Sequence, residues 1–273
     1  MTSSTGRVIR ALATATVALV ASVLVAGSVA MPAATSGVAA PVVTGAGTVS
    51  GDATYSVNSV RLPNSTISLR WNPCQARVTY KINASYAGTT AAARASAIAD
   101  TREAFRRLEN ATGIHFVYTG TTVSVPSGSA WSENMKSAEI VVAWVRPSGL
   151  TLLSRDANGN KVAATGGYAY KTWAYPGQPW KGVIGRGFVV VNQAQQSAFK
   201  TGFGTGVTRG NLLLHELGHV VGLNHTAATS QLMYPVIVSR TNSGYRGGDL
   251  TGLSLVGAHA GCVAVPAGMY TDL

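Results

Sequence analysis

The sequence predicts an α/β (α+β) domain in which a five-stranded mixed sheet packs with two long helices and closes on a small C-terminal subdomain. Three observations predict it. Five short runs have the alternation, or the apolar and β-branched content, of strands. Two longer stretches place apolar residues at helical spacing. The second of these carries three of the chain's five histidines within eleven residues. At 273 residues and 46% hydrophobic, the chain can bury one proper core.

Residues 1–30 carry Arg7 and Arg10, then an apolar and small-residue run from Ala11 to Ala30 ending in Ser28-Val29-Ala30. This predicts a cleaved Sec-type signal peptide and a secreted protein. A membrane anchor is the competing reading, since twenty apolar residues can span a bilayer. Residues 31–55 are Ala, Gly, Ser, Thr, Val and Pro with one charge, which reads as a flexible linker or short pro-segment. Residues 56–273 are then the folded domain. The formal net charge is +11 although only 11% of residues are charged, so the chain is short of acids rather than rich in lysine. Such an exterior suits weak association with an anionic cell-wall surface, or only solubility. No basic run with interleaved aromatics points to nucleic acid. A monomer is the expectation.

The elements follow in order. Arg77–Asn83 alternates as a strand. Thr89 or Thr90 caps a helix with Ile98, Thr101, Phe105 and Leu108 on one face, and Gly113 ends it. His115–Thr119 and Glu139–Val145 are the second and third strands, with His115 a strand residue and not a ligand. Asp156–Asn160 begins like a calcium loop, but Lys161 stands at the position of the sharp-turn glycine and Gly167 at that of the closing glutamate. Asn158-Gly159 reads as a hairpin turn instead, so calcium is not supported. Gly166–Tyr175 is a fourth strand, and Gly187–Asn192, almost wholly apolar, a central fifth. A helix from about Thr208 to Val221 has Leu212, Leu213 and Val220 on its apolar face. Asp249 is expected to cap a last helix, Leu250 to about Ala260, on which His259 is no ligand. Cys74 and Cys262, an even pair in an exported chain, read as a disulfide. Use of Cys74 as a cap on a metal would strand Cys262.

The chemistry sits in HELGHVVGLNH, residues 215–225. His215 and His219 are four apart and share one helix face. Both can reach one Zn²⁺ at about 2.0–2.1 Å. Gly222 can turn the chain so that His225 becomes a third ligand. Three protein ligands leave the fourth position open for water, the mark of a catalytic zinc. Glu216, one position round the helix, is placed to act as general base on that water. Three histidines and a glutamate buried in LLLHELGHVVGL without a metal would be hard to satisfy.

This stretch, with the later Leu232-Met233-Tyr234-Pro235, resembles the metzincin signature and its Met-turn in the form that matrixins carry. The resemblance extends from about Trp71 to Cys262 and implies a bacterial-type secreted zinc endopeptidase acting on polypeptides. It implies a metzincin-like fold with an antiparallel edge strand, one catalytic Zn²⁺ on His215, His219 and His225, and Met233 as the structural Met-turn residue beneath them. It implies that substrate pairs with the fourth strand, whose rim by order along the chain is Gly167, Tyr168 and Ala169, and that Pro235 lies against the pocket beyond the scissile bond. An ordinary edge strand without a substrate role is the alternative. Pro235 stands where astacin-like and serralysin-like relatives have a metal-binding Tyr, so no Tyr ligand is expected. Thr226 stands where animal matrixins usually have Ser. No zinc-capping cysteine motif precedes the domain. Two other functions remain open: a cell-wall or matrix binding module with a non-catalytic zinc, and a hydrolase of non-protein amide bonds.

Overall fold

A computed structural model describes residues 16–24, 53–62, 65–127, 138–147, 150–153, 161–175 and 177–266. Its elements in chain order are β1 (Thr16–Leu24), β2 (Ser59–Leu62), β3 (Ser65–Ser68), β4 (Val78–Asn83), α1 (Ala91–Thr112), β5 (Phe116–Thr121), β6 (Ile140–Val145), β7 (Val162–Trp173), β8 (Lys181–Asn192), α2 (Arg209–Val221) and α3 (Gly247–Val256). The five expected strands, β4 to β8, form the mixed sheet. β4, β5, β6 and β8 run parallel, and β7 lies antiparallel to β8. β2 and β3 make a separate hairpin.

The central parallel strand β6 is buried on both faces, which is why it reads IVVAWV with no polar position. Val142, Trp144, Val189 and Val191 face the helices in one apolar cluster. Val141, Ala143, Val190 and Phe188 face the other way into a second cluster. On the helical side α1 is capped as its sequence requires: Thr90 Oγ1 accepts from Ala93 N–H, and Gly113 ends the helix in the left-handed region. Its buried face is Ala97, Thr101, Ala104, Phe105 and Leu108. Asp100 on the same helix takes the guanidinium of Arg209 at 2.7 Å and the N–H of Gly202 at 2.8 Å. The two long helices are thereby tied together at the first residue of α2.

Several features differ from the expectation. β7 starts four residues earlier and β8 six residues earlier than their apolar runs, because each extends the other's ladder. A sixth strand, β1, pairs antiparallel with the outer side of β7, giving the order β1-β7-β8-β6-β4-β5. An edge strand offers a row of free N–H and C=O groups, and residues 16–24 take them up. The rest of the leader and the linker, residues 1–15 and 25–52, lie outside the described residues, as does Asp156–Asn160. Among the described residues, no helix is long and apolar enough to cross a membrane. Thr54, inside the stretch read as linker, already bonds to the domain through the Thr226 hydroxyl. Asp249 does not cap the last helix: it lies in the first turn of α3, whose N-cap is Arg246, and its carboxylate is used elsewhere. Cys74 and Cys262 form the expected disulfide, across a sequence separation of 188. It closes the domain's start onto the tail, where Arg70 also donates to the carbonyls of Gly261 and Ala260.

Candidate metal centre

α2 begins where Thr208 Oγ1 accepts from Asn211 N–H, and all its residues from Arg209 to Val221 are buried. It stops at Gly222, with φ 111°, whose N–H reaches the carbonyls of Gly218 and His219. A Cβ there would lie 2.5 Å from the Leu69 carbonyl oxygen, so neither the dihedral nor the space admits another residue. The turn that follows delivers His225.

The three imidazoles converge. Nε2 of His219 lies 3.1 Å from Nε2 of His215, and Nε2 of His225 lies 3.2 Å from it. His215 Nδ1 is 2.7 Å from the Leu232 carbonyl oxygen, and His219 Nδ1 is 3.0 Å from that of Leu223. A carbonyl only accepts, so in both rings Nδ1 carries the proton and Nε2 presents its lone pair. Lone pairs aimed at one another across about 3 Å repel unless a cation lies between them. Tetrahedral zinc with Zn–N of about 2.0–2.1 Å separates its nitrogens by about 3.3 Å, close to the spacing here. The donor set fits zinc. Burial, as the largest cause, pushes His219 down to about 4 and His215 and His225 well below the ordinary histidine value, with neighbouring rings adding to the shift of the latter two. All three are therefore neutral near pH 7, as ligands must be.

Behind the ligands lies a support that motif reading did not reach. Asp249 accepts from Leu232 N–H at 2.8 Å and from Met233 N–H at 3.3 Å, while the carbonyl of the same Leu232 holds His215. Met233 is only 2% exposed and lies against α2, so close that a Cβ on Gly218 would come within 2.5 Å of its Sδ. Within the HExxH run, then, the second x is glycine because the Met-turn needs the space. The signal for Asp249 was weak: an acid near a helix start reads first as a cap.

Glu216 is fully buried on α2. β7 crosses its backbone at Gly166, where a Cβ would meet the Glu216 carbonyl oxygen at 2.3 Å. The next three residues are the expected rim. Tyr168 points into the main core and Ala169 into the second cluster, so the side chains of both are taken up in packing. Leu19, Ala18 and Val17 of β1 pair with Gly167, Tyr168 and Ala169, respectively. Pro235 is half-buried just after the Met-turn. His115 is exposed beside Glu109, and His259 is exposed on a short 3₁₀ turn at Ala258–Ala260. Among the described residues the three-histidine cluster is the one group able to hold a metal ion. A surface groove of about 510 Å³ lies away from it, between α1 and β5, over Tyr80, Phe105, Phe116 and Tyr118.

A family model described as Matrixin matches residues 70–254, a span that holds the three histidines, Glu216, Met233 and Asp249. A comparison with curated proteins gives no match.

Proposed function

The chain belongs to the matrixin family, whose members are zinc-dependent endopeptidases, and from that premise we propose that it is a secreted enzyme that cuts extended polypeptides with Glu216 as general base. The observation that carries this reading is the convergence of three Nε2 atoms, two of them with Nδ1 held on carbonyl oxygens. His215, His219 and His225 would hold one zinc. Bound there, the metal supplies Lewis acidity that acidifies water and polarises a scissile carbonyl. Glu216 removes a proton from the attacking water and delivers it to the departing amine nitrogen. Asp249, through Leu232, keeps the His215 ring in place, and Met233 packs against α2 at Gly218. The backbone of Gly167–Ala169 orients the substrate as an added strand; the capacity of β7 to take an antiparallel partner, as it does with β1, supports this role.

Export through a Sec-type signal at residues 1–30 belongs to the same proposal. It is supported by the disulfide, which persists in oxidising compartments, and by the basic leader followed by an apolar run. The mature enzyme is proposed to act as a monomer, with weak affinity for anionic cell-wall polymers.

Zinc content and casein hydrolysis, measured on the wild type and on Glu216→Ala, test the reading. We expect about one zinc in each protein and chelator-sensitive cleavage by the wild type alone. Zinc without cleavage of casein or of a mixed peptide library would favour a binding module or a non-protein amide substrate. A folded wild type that takes up no zinc overturns the reading.

A further inference from the structure

His215 and His219 receive their ring orientation from carbonyls, but among the described residues no carbonyl holds the ring of His225. Its position rests on the backbone of residues 222–226. That backbone is held from outside by the segment Thr54–Asn58, which precedes β2. Asn58 N–H donates to the Gly222 carbonyl at 2.7 Å, and Asn58 Nδ2 to the Leu223 carbonyl at 2.9 Å. Val57 and Leu223 form an antiparallel bridge. Asn224 N–H donates to the Ser56 carbonyl at 2.8 Å. Beyond the histidine, the Thr226 and Thr54 hydroxyls lie 2.9 Å apart. Gln231 Nε2 donates to the Thr54 carbonyl, while its Oε1 accepts from Asp249 N–H at 2.6 Å. Thr226 N–H, in turn, donates to the Met233 carbonyl at 3.0 Å. His225 is thus flanked on both sides in sequence by residues bound to the strap, with the Met-turn opposite.

We propose that Thr54–Asn58 is a positioning strap for the third metal ligand, His225, and therefore a required part of the catalytic domain rather than the end of its leader. The proposal rests on the zinc reading above. It gives Thr226 a role as the residue whose hydroxyl meets Thr54. It also sets a limit on processing: cleavage upstream of Thr54 leaves the metal site whole, and cleavage beyond Asn58 removes the support of one ligand while α2 keeps the other two.

The test uses the full chain with Asn58→Ala and Thr54→Val, each of which deletes side-chain bonds to residues 223 or 226 and leaves the backbone continuous. Thr101→Val, which removes a buried hydroxyl bond to the Ala97 carbonyl on α1, is the control for general destabilisation. Two quantities are read: the zinc dissociation constant by chelator competition, and amide hydrogen exchange in the zinc-free protein. Ligand supports of this kind shift metal affinity by about 10–100-fold. We expect weakening in that range for both strap variants, near-wild-type affinity for Thr101→Val, and faster exchange at Leu223, Asn224 and Thr226 with residues 212–221 still protected. Strap variants within twofold of wild-type affinity overturn the proposal, as does equal acceleration along α2 and the loop. A wild type that binds no zinc overturns the zinc reading itself and this role with it. Normal uptake with unchanged affinity in the variants overturns the strap alone.

Discussion

The metal centre is built by two regions with different physics. His215 and His219 stand one turn apart on a fully buried helix, and each ring is pinned by a carbonyl. Their relative placement is local, fixed by a 5.4 Å helical pitch. His225 stands on a partly exposed loop, and what fixes it comes from more than 160 positions away in sequence, as in the Asn58–Leu223 bond. The spacing of the helical pair is set wherever α2 folds, and the Leu232 carbonyl of the Met-turn then fixes the His215 ring. The loop ligand is complete only when the glycine turn, the Met-turn and the strap are all in place. The first region therefore supplies the anchor of the site, and the second decides whether its geometry closes.

The largest expected effect falls on the helix. Glu216→Gln keeps both histidines and their carbonyl partners, so zinc content should stay at wild-type level while kcat/KM falls by about 10²–10⁴-fold, the usual worth of a general base. Steady-state hydrolysis beside metal analysis checks it, and a fall in zinc content would show that the glutamate holds the site rather than the proton. On the loop side, Gly222→Ala forces a left-handed residue into contact with the Leu69 carbonyl and should cost about 2–4 kcal/mol in denaturant unfolding. Its zinc affinity should drop further than that of an equally destabilised variant elsewhere. An unchanged affinity would mean the loop finds His225's position by another route.

A pH titration of the metal-free protein probes both regions at once. Burial holds the folded-state value of His219 at about 4, below the ordinary value of about 6.5, and shifts His215 and His225 the same way. The unfolded chain thus binds more protons in this window, so stability is complete above about pH 6.5 and is lost as pH falls towards 4. Thermal melts of the metal-free protein across that range should move downward with pH; a flat profile would contradict the buried, neutral assignment. The smallest effect lies on the far side of α1. The hydrogen bond from Arg106, with help from Arg107 and against the opposing effect of burial, holds Glu103 down at about 2. Its contribution is present above about pH 4.3 and lost as pH falls towards 2. Because the cluster is largely solvated, Glu103→Gln should cost no more than about 1 kcal/mol and leave zinc affinity untouched.

What could be read from the chain follows the same division. Thr90, Gly113, Thr208 and Gly222 announce helix ends because caps are made within a few residues, and the structure uses each as such. The i, i+4 histidines needed only helical periodicity. The five strands were legible from apolar content, but the early starts of β7 at Val162 and β8 at Lys181 were not, since Gly182 and Arg186 lack strand character and are held by the partner strand. Asp249 was read as a cap because local rules favour that use. Its service to Leu232 and Met233 depends on how α3 packs, which no window of sequence contains. The carbonyls of Leu223 and Leu232 carry no side-chain signature at all. Thr54 sat at the end of an Ala- and Gly-rich stretch, where composition alone reads as linker, and nothing local to Asn58 announces its bonds to residues 222 and 223.

Zinc-edge X-ray absorption on the wild-type protein is the most direct test of an open three-histidine centre. The account predicts one zinc per chain with three imidazole nitrogens at about 2.0–2.1 Å and a fourth ligand from solvent that an added hydroxamate displaces. A fourth protein ligand that the hydroxamate leaves in place, or a folded chain without zinc, would contradict it.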